Sequence, residues 1–138
     1  MKYNRIMPGA KSVHLNDCLD GEFIGVDFGI DKDLSSHLSD EVKHFKDKYR
    51  PVYLETRPDK SKVAAGLACG SIWTVCKDLK KGDVILCPDG KGEYRIGEIE
   101  SNYYHVKGEI LQHRRKVNWY KNPVRRSDMS EALRNSTG

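Results

Sequence analysis

Apolar and polar positions are patterned most regularly between residues 84 and 120. Val84-Ile85-Leu86-Cys87 is a β run. Glu93-Tyr94-Arg95-Ile96-Gly97-Glu98-Ile99 alternates polar and apolar residues, the signature of a half-buried strand. Tyr103-Tyr104-His105-Val106 reads as a third strand. His113 to Tyr120 reads as a fourth, with Val117 and Trp119 on the face opposite Lys116 and Asn118. Turn formers separate these runs: Lys80-Lys81-Gly82-Asp83, Pro88-Asp89-Gly90-Lys91-Gly92 and Ser101-Asn102. Short strands in succession imply an antiparallel meander that curls toward a barrel.

The pattern upstream is helical, and it is weaker in the first third. Arg5-Ile6-Met7 is a candidate short strand stopped by Pro8-Gly9, and Lys11 to Leu19 a candidate short helix ended by Gly21. Phe23 to Gly29 reads as a buried strand bounded by glycine, and Asp31 to Ser36 as a polar loop. Ser39-Asp40-Glu41 opens a helix carrying Val42, Phe45 and Tyr49, which is expected to stop near Arg50 because Pro51 lacks the N–H that would continue it. Asp59 or Ser61 caps the next helix, with Val63, Ala64, Leu67 and Ala68 expected toward the core. A further turn places Ile72, Val75, Cys76 and Leu79 on one face. Ser127-Asp128-Met129-Ser130-Glu131 caps a last helix through Arg134, by Ser127 with Ser130 or Ser127 with Glu131, and the chain is expected to be a fragment of a longer protein.

With 138 residues, 38% hydrophobic and 32% charged, the chain reads as one globular domain, residues 1–138, that folds without metal or disulfide support. No apolar run reaches the roughly 18–20 residues of a membrane span, and no apolar segment follows Met1-Lys2-Tyr3-Asn4-Arg5, so a cytoplasmic location is expected. Cys18, Cys69, Cys76 and Cys87 form no C-x-x-C pair and are expected to be buried thiols rather than zinc ligands. The net charge of +4 is uneven. Residues 107–138 hold eight Lys/Arg against three acids, an asymmetry that suggests a polyanionic partner.

The densest candidate chemistry is His113-Arg114-Arg115-Lys116-Val117-Asn118-Trp119-Tyr120-Lys121, continued by Arg125-Arg126, a stretch without an acid. Basic groups bind phosphates and aromatic rings stack on bases. The competing reading is a solvated cationic edge strand with Trp119 in the core. Trp73, Tyr94, Tyr103, Tyr104, Trp119 and Tyr120 could wall a pocket for one extruded base, with Asp27, Asp83 or Asn118 reading its edge. Plain core packing is the alternative for each ring. Enzyme signatures are missing: no G-x-S-x-G, no H-E-x-x-H, no phosphate loop and no clustered acids with a lysine as a nuclease requires. The five histidines show no i, i+4 ligand pairing. No catalysis, metal or cofactor is expected of this segment.

An ordered set of motifs carries a resemblance. Gly66-Leu67-Ala68-Cys69-Gly70-Ser71-Ile72-Trp73, Lys80 to Gly90, Tyr94-Arg95-Ile96-Gly97-Glu98-Ile99 and His113-Arg114-Arg115-Lys116-Val117-Asn118-Trp119 resemble N-terminal domains of Mrr-like restriction endonucleases. The order of motifs is similar to the PUA-like group that includes EVE, YTH and SRA domains. The likeness spans roughly residues 60–138, and Phe23 to Gly29 is similar too.

The resemblance implies an α+β fold, a PUA-like small curled antiparallel β-barrel flanked by helices, with an effector such as a nuclease C-terminal to it. It implies a DNA-recognition domain that flips a modified base, such as 5-methylcytosine or 5-hydroxymethylcytosine, into an aromatic pocket and targets a restriction nuclease against phage. Trp73 fits a pocket aromatic, Tyr103 and Tyr104 fit wall or wedge residues, and Asp83 fits a base-edge acceptor or a turn cap. Trp119, Asp27 and Asn118 complete the candidate pocket. His113, Arg114 and Arg115 fit backbone clamps, joined by Lys80, Lys81, Lys116, Lys121, Arg125 and Arg126. The alternatives are an RNA-binding PUA/YTH-like module, a free-nucleotide sensor that controls an effector, and a protein-interaction domain with an acidic partner.

Overall fold

The computed structural model describes residues 3–129. Helices accompany a mixed seven-stranded sheet, so the chain is α+β. Its residues group into two compact units, the first from residues 3–24, 79–102 and 115–129, the second from Gly25–Asp78 and Tyr103–Arg114. The segments of the two units alternate along the chain.

The first unit holds β1 (Tyr3–Arg5), α1 (Leu15–Gly21), the start of β2 (Phe23–Val26), β3 (Val84–Pro88), β4 (Glu93–Ile99), most of β6 (His113–Trp119) and β7 (Val124–Arg125). The strand order is β1-β3-β4-β6-β2, with β7 pairing β4. β1 runs parallel to β3, while β3–β4 and β4–β6 are antiparallel. β3, β4 and β6 follow one another antiparallel, while β5 lies off this path and pairs only with β6. The path of strands is open, not a closed ring.

Every residue from Val84 to Cys87 is buried, because β3 lies between β1 and β4 and is covered on both faces. Val84 and Leu86 cluster with Tyr94, Ile96 and Met129, and Val124 packs against them. On the opposite face, Val117 and the Trp119 ring sit over Gly97, where an added Cβ would lie 2.4 Å from Val117 Cγ1 and 2.8 Å from Trp119 Cε3. A side chain at 97 would push β4 away from β6.

The second unit holds α2 (Val42–Thr56), α3 (Lys62–Trp73), a π-helical turn over Thr74–Asp78, and β5 (Tyr104–His105), which pairs with the first residues of β6. α2 does not stop before Pro51; it runs through it. The physical reason is tertiary. Phe45, Tyr49 and Tyr53 recur every four residues and are all buried, and Tyr53 joins Ala65, Ala68, Phe28 and Leu54 in one cluster. Burying a large side chain is worth about 1.5–3 kcal/mol, enough to offset much of the ~3 kcal/mol cost of an interior proline. The helix also starts without Ser39 as its cap: Glu41 holds that position, with no side-chain hydrogen bond.

Ser61 caps α3, accepting the Ala64 N–H at 3.1 Å. The buried face of α3 differs from the expected one. Ala65, Gly66, Ala68, Cys69 and Ile72 are inside, whereas Val63 is 74% and Leu67 68% exposed. Small residues are inside because the neighbouring helix covers them closely: Cβ atoms at 66 and 70 would meet Arg50 Nε at 3.2 Å and Lys46 Cε at 3.3 Å. Ile72, Val75, Cys76 and Leu79 are all buried, as their spacing implies, and so are all four cysteines. The expected strand over Arg5–Met7 is displaced to Tyr3–Arg5, and the third meander strand shrinks to two residues. Of the final helix expected over 127–134, residues 130–134 lie outside the described residues, and Arg126–Asp128 forms a 3-10 turn. Among the described residues no helix is long and apolar enough to cross a membrane.

Candidate nucleic-acid interface

Strand alternation decides where the basic segment points. On β6, His113, Arg115 and Val117 are buried, while Lys116 and Asn118 are exposed. The sequence places His113 and Arg115 on the face of Val117, and that face is the core. Arg115 is 3% exposed; its Nε donates to Ser101 O at 2.7 Å and its Nη1 to Leu79 O at 2.6 Å. A buried guanidinium that ties two loop carbonyls is a structural clamp, which corrects its assignment to phosphate.

Lys80, Lys81, Lys116, Lys121, Arg125 and Arg126 of the first unit are all exposed. Asn118 stands directly across from Glu98 on β4. Arg95 Nη2 donates to Tyr120 O at 3.4 Å and Lys121 O at 3.3 Å, bracing the chain where it leaves β6. Asp83 is buried, and its Oδ2 accepts the Lys80 N–H at 2.8 Å. Of its two readings, the turn cap is the one this geometry fits. Trp119 is half-buried and its Nε1 donates to Cys18 O at 3.0 Å.

The second unit collects other candidates around His113, which is fully buried. Its Nε2 lies 2.6 Å from Ile30 O, an obligate acceptor, so Nε2 carries the proton. Nδ1 is then an acceptor, and the Tyr103 hydroxyl donates to it at 2.9 Å. The same hydroxyl accepts the Leu34 N–H at 3.0 Å. Burial lowers the His113 pKa, opposed by the Ile30 carbonyl, and raises that of Tyr103. A neutral ring bonded at both nitrogens is no phosphate clamp, which corrects the second basic assignment.

Alongside it, Gln112 donates to Asp27 Oδ1 at 3.1 Å and to Asp31 Oδ1 at 2.6 Å, and accepts from His105 Nε2 at 2.7 Å. The His105, His113 and Tyr103 rings stack, with His113 5.2 Å from His105 and 5.9 Å from Tyr103. Trp73 is half-buried and donates from Nε1 to Ser39 O at 2.8 Å. Arg114 folds back on its own turn, donating to Leu111 O at 3.0 Å and Ile110 O at 2.7 Å. Tyr104 is half-buried on β5, across from Arg114.

Tyr103 and His113 thus form one hydrogen-bonded pair, and the stacking of His105 on His113 sets beside it a second hydrogen-bonded group that holds Asp27. Its other members, Gln112, His105 and Asp31, are not marked as site residues by the sequence. The two carboxylates lie 85 and 81 residues from Gln112, and no local pattern reveals the group. Among the described residues no three His, Cys, Asp or Glu side chains form a metal-binding group.

A family model described as "Domain of unknown function (DUF8426)" matches residues 5–137. No curated protein and no solved structure matches the chain.

Proposed function

The chain belongs to the DUF8426 family, and we propose that it is a non-catalytic domain that binds nucleic acid through the exposed cations of its first unit. One observation carries this reading. From Lys116 to Arg126 the chain presents four exposed cations, Lys116, Lys121, Arg125 and Arg126, and no acid. Among the described residues, none of the four is in an ion pair. Exposed Lys and Arg without acidic partners release condensed counterions when they meet phosphates, and that release drives binding.

The finer reading follows the likeness to PUA-like restriction domains. The domain binds DNA, extrudes a modified cytosine into an aromatic pocket on a small curled β-barrel, and delivers an attached nuclease in the cytoplasm. Extrusion costs a few kcal/mol and is offset by stacking of about 1–3 kcal/mol per base.

The experiment is a mobility-shift panel of duplexes carrying cytosine, 5-methylcytosine, 5-hydroxymethylcytosine and N6-methyladenine, with a matched RNA as competitor. Binding that weakens with salt supports the phosphate interface. Removing the four cations together should flatten the salt dependence by about 0.9 for each phosphate no longer neutralised. Indifference to the modification would remove the base-reading element, and preference for the RNA would turn the proposal to an RNA-binding module. No binding to any polynucleotide would end it.

A further inference from the structure

We infer that the solvent face of β6, with Tyr120 just beyond its end, is a platform for a single-stranded stretch of DNA. This rests on the nucleic-acid reading above and adds to it the form of the substrate and the residues that hold its bases.

Alternation along β6 exposes Lys116 and Asn118, and Tyr120 continues it at 44% exposed. The Tyr120 backbone is still in register with the sheet, since its N–H donates to Ile96 O at 2.7 Å. Arg95 holds its carbonyl from the other side. An exposed ring on a fixed backbone loses little freedom when a base stacks on it. Asn118 and Glu98 are direct cross-strand partners, which places their Cβ atoms about 4.5–5.5 Å apart. An amide beside a carboxylate offers two N–H donors and several acceptors, and the acceptors suit the exocyclic amino group of cytosine or adenine.

Charge argues for this occupant over an apolar protein partner. The ring is flanked by Lys116, Asn118 and Lys121, with no exposed aliphatic residue between 114 and 123. Glu98 stands across from Asn118, and Glu100, just past β4, donates its N–H to Lys116 O at 2.9 Å; both carboxylates would repel phosphates on that side. The backbone of a bound strand is thereby directed to Lys116 and Lys121 and its bases to Tyr120 and Glu98. Duplex bases cover one another's faces, so only an unpaired base can lie on Tyr120.

Fluorescence anisotropy with the whole chain tests this, using a labelled cytosine- and adenine-containing DNA strand of about 12 nucleotides, its duplex, and an RNA of the same sequence. Tyr120→Ala should weaken binding to the single strand about tenfold while changing duplex affinity less than about twofold, because the duplex presents no free base face. Its salt dependence should not change. Tyr120→Phe should bind as the native chain does. Lys116→Ala should lower the single-strand salt slope by about 0.7. Circular dichroism should show the native fold in each variant, since the replaced side chains are exposed. If the native chain binds DNA and Tyr120→Ala binds the single strand equally well, or loses duplex and single strand alike, the platform is overturned and the phosphate interface stands. If the native chain binds neither DNA, both fail. RNA bound about tenfold more tightly than DNA would overturn the assignment of the occupant.

Discussion

The Tyr103 hydroxyl lies 2.9 Å from Nδ1 of His113 while accepting the Leu34 N–H at 3.0 Å, so one phenol joins β6 to the segment that follows β2. The pair fixes the tautomer of a buried imidazole and satisfies a backbone donor at the same time.

Tyr103→Phe removes both bonds and keeps the ring. The Leu34 N–H and the His113 nitrogen then lack partners, at about 1–3 kcal/mol for each buried group. Urea denaturation should show a loss of about 2 kcal/mol or more. A loss within about 0.5 kcal/mol, the ordinary range for surface changes, would mean water replaces the hydroxyl without cost.

His113 also makes stability depend on pH. Burial depresses its pKa below the ordinary 6.5 against the pull of the Ile30 carbonyl, with His105 lowering it further and Asp27 and Asp31 opposing. The unfolded chain therefore takes up this proton first as pH falls. The stabilisation is complete above pH 6.5 and is lost as pH falls through the depressed folded value. Urea midpoints measured from pH 8 to pH 5 should fall, and His113→Gln should flatten that fall even though it lowers the midpoint at pH 8.

Arg115 and Lys116 are neighbours with opposite duties. Arg115→Met strips donors from the Ser101 and Leu79 carbonyls and should cost about 2–4 kcal/mol on thermal or urea unfolding. Lys116→Ala should leave stability within about 0.5 kcal/mol and act on the salt dependence of binding instead. The reverse pattern would place the guanidinium outside and the ammonium inside.

Gly97→Ala should destabilise by about 1–3 kcal/mol, because the new methyl would overlap Val117 and the Trp119 ring. A melting temperature equal to that of the native chain would show that β4 and β6 can spread at this point without cost.

The strands at 84–88, 93–99 and 113–119 are legible in the sequence because alternation and turn chemistry agree there. The length of α2 is not. Local stereochemistry stops the helix at Pro51, while Tyr53 supplies burial that only the folded chain reveals. The inner face of α3 misleads for a related reason: hydropathy favours Val63 and Leu67, but close helix packing favours Ala65, Gly66 and Ala68. For His113 and Arg115 the signal was present. They share a face with Val117, yet positive charge reads as surface until two carbonyls are found beside it. The Asp27–Gln112 bond joins residues 85 apart, which no local pattern can show.

β1 pairs with β3 through Tyr3 and Val84, and the Trp119 indole meets a carbonyl 101 residues earlier. So high a contact order makes folding slow relative to helical domains of similar size. On the ribosome, β1 must wait for β3 to emerge, and Cys18 for Trp119. Neither unit can be released by a single proteolytic cut, and because their segments alternate at residues 25, 79, 103 and 115 a circular permutant cannot part them either, so dissecting their separate binding properties calls for point substitutions rather than truncations.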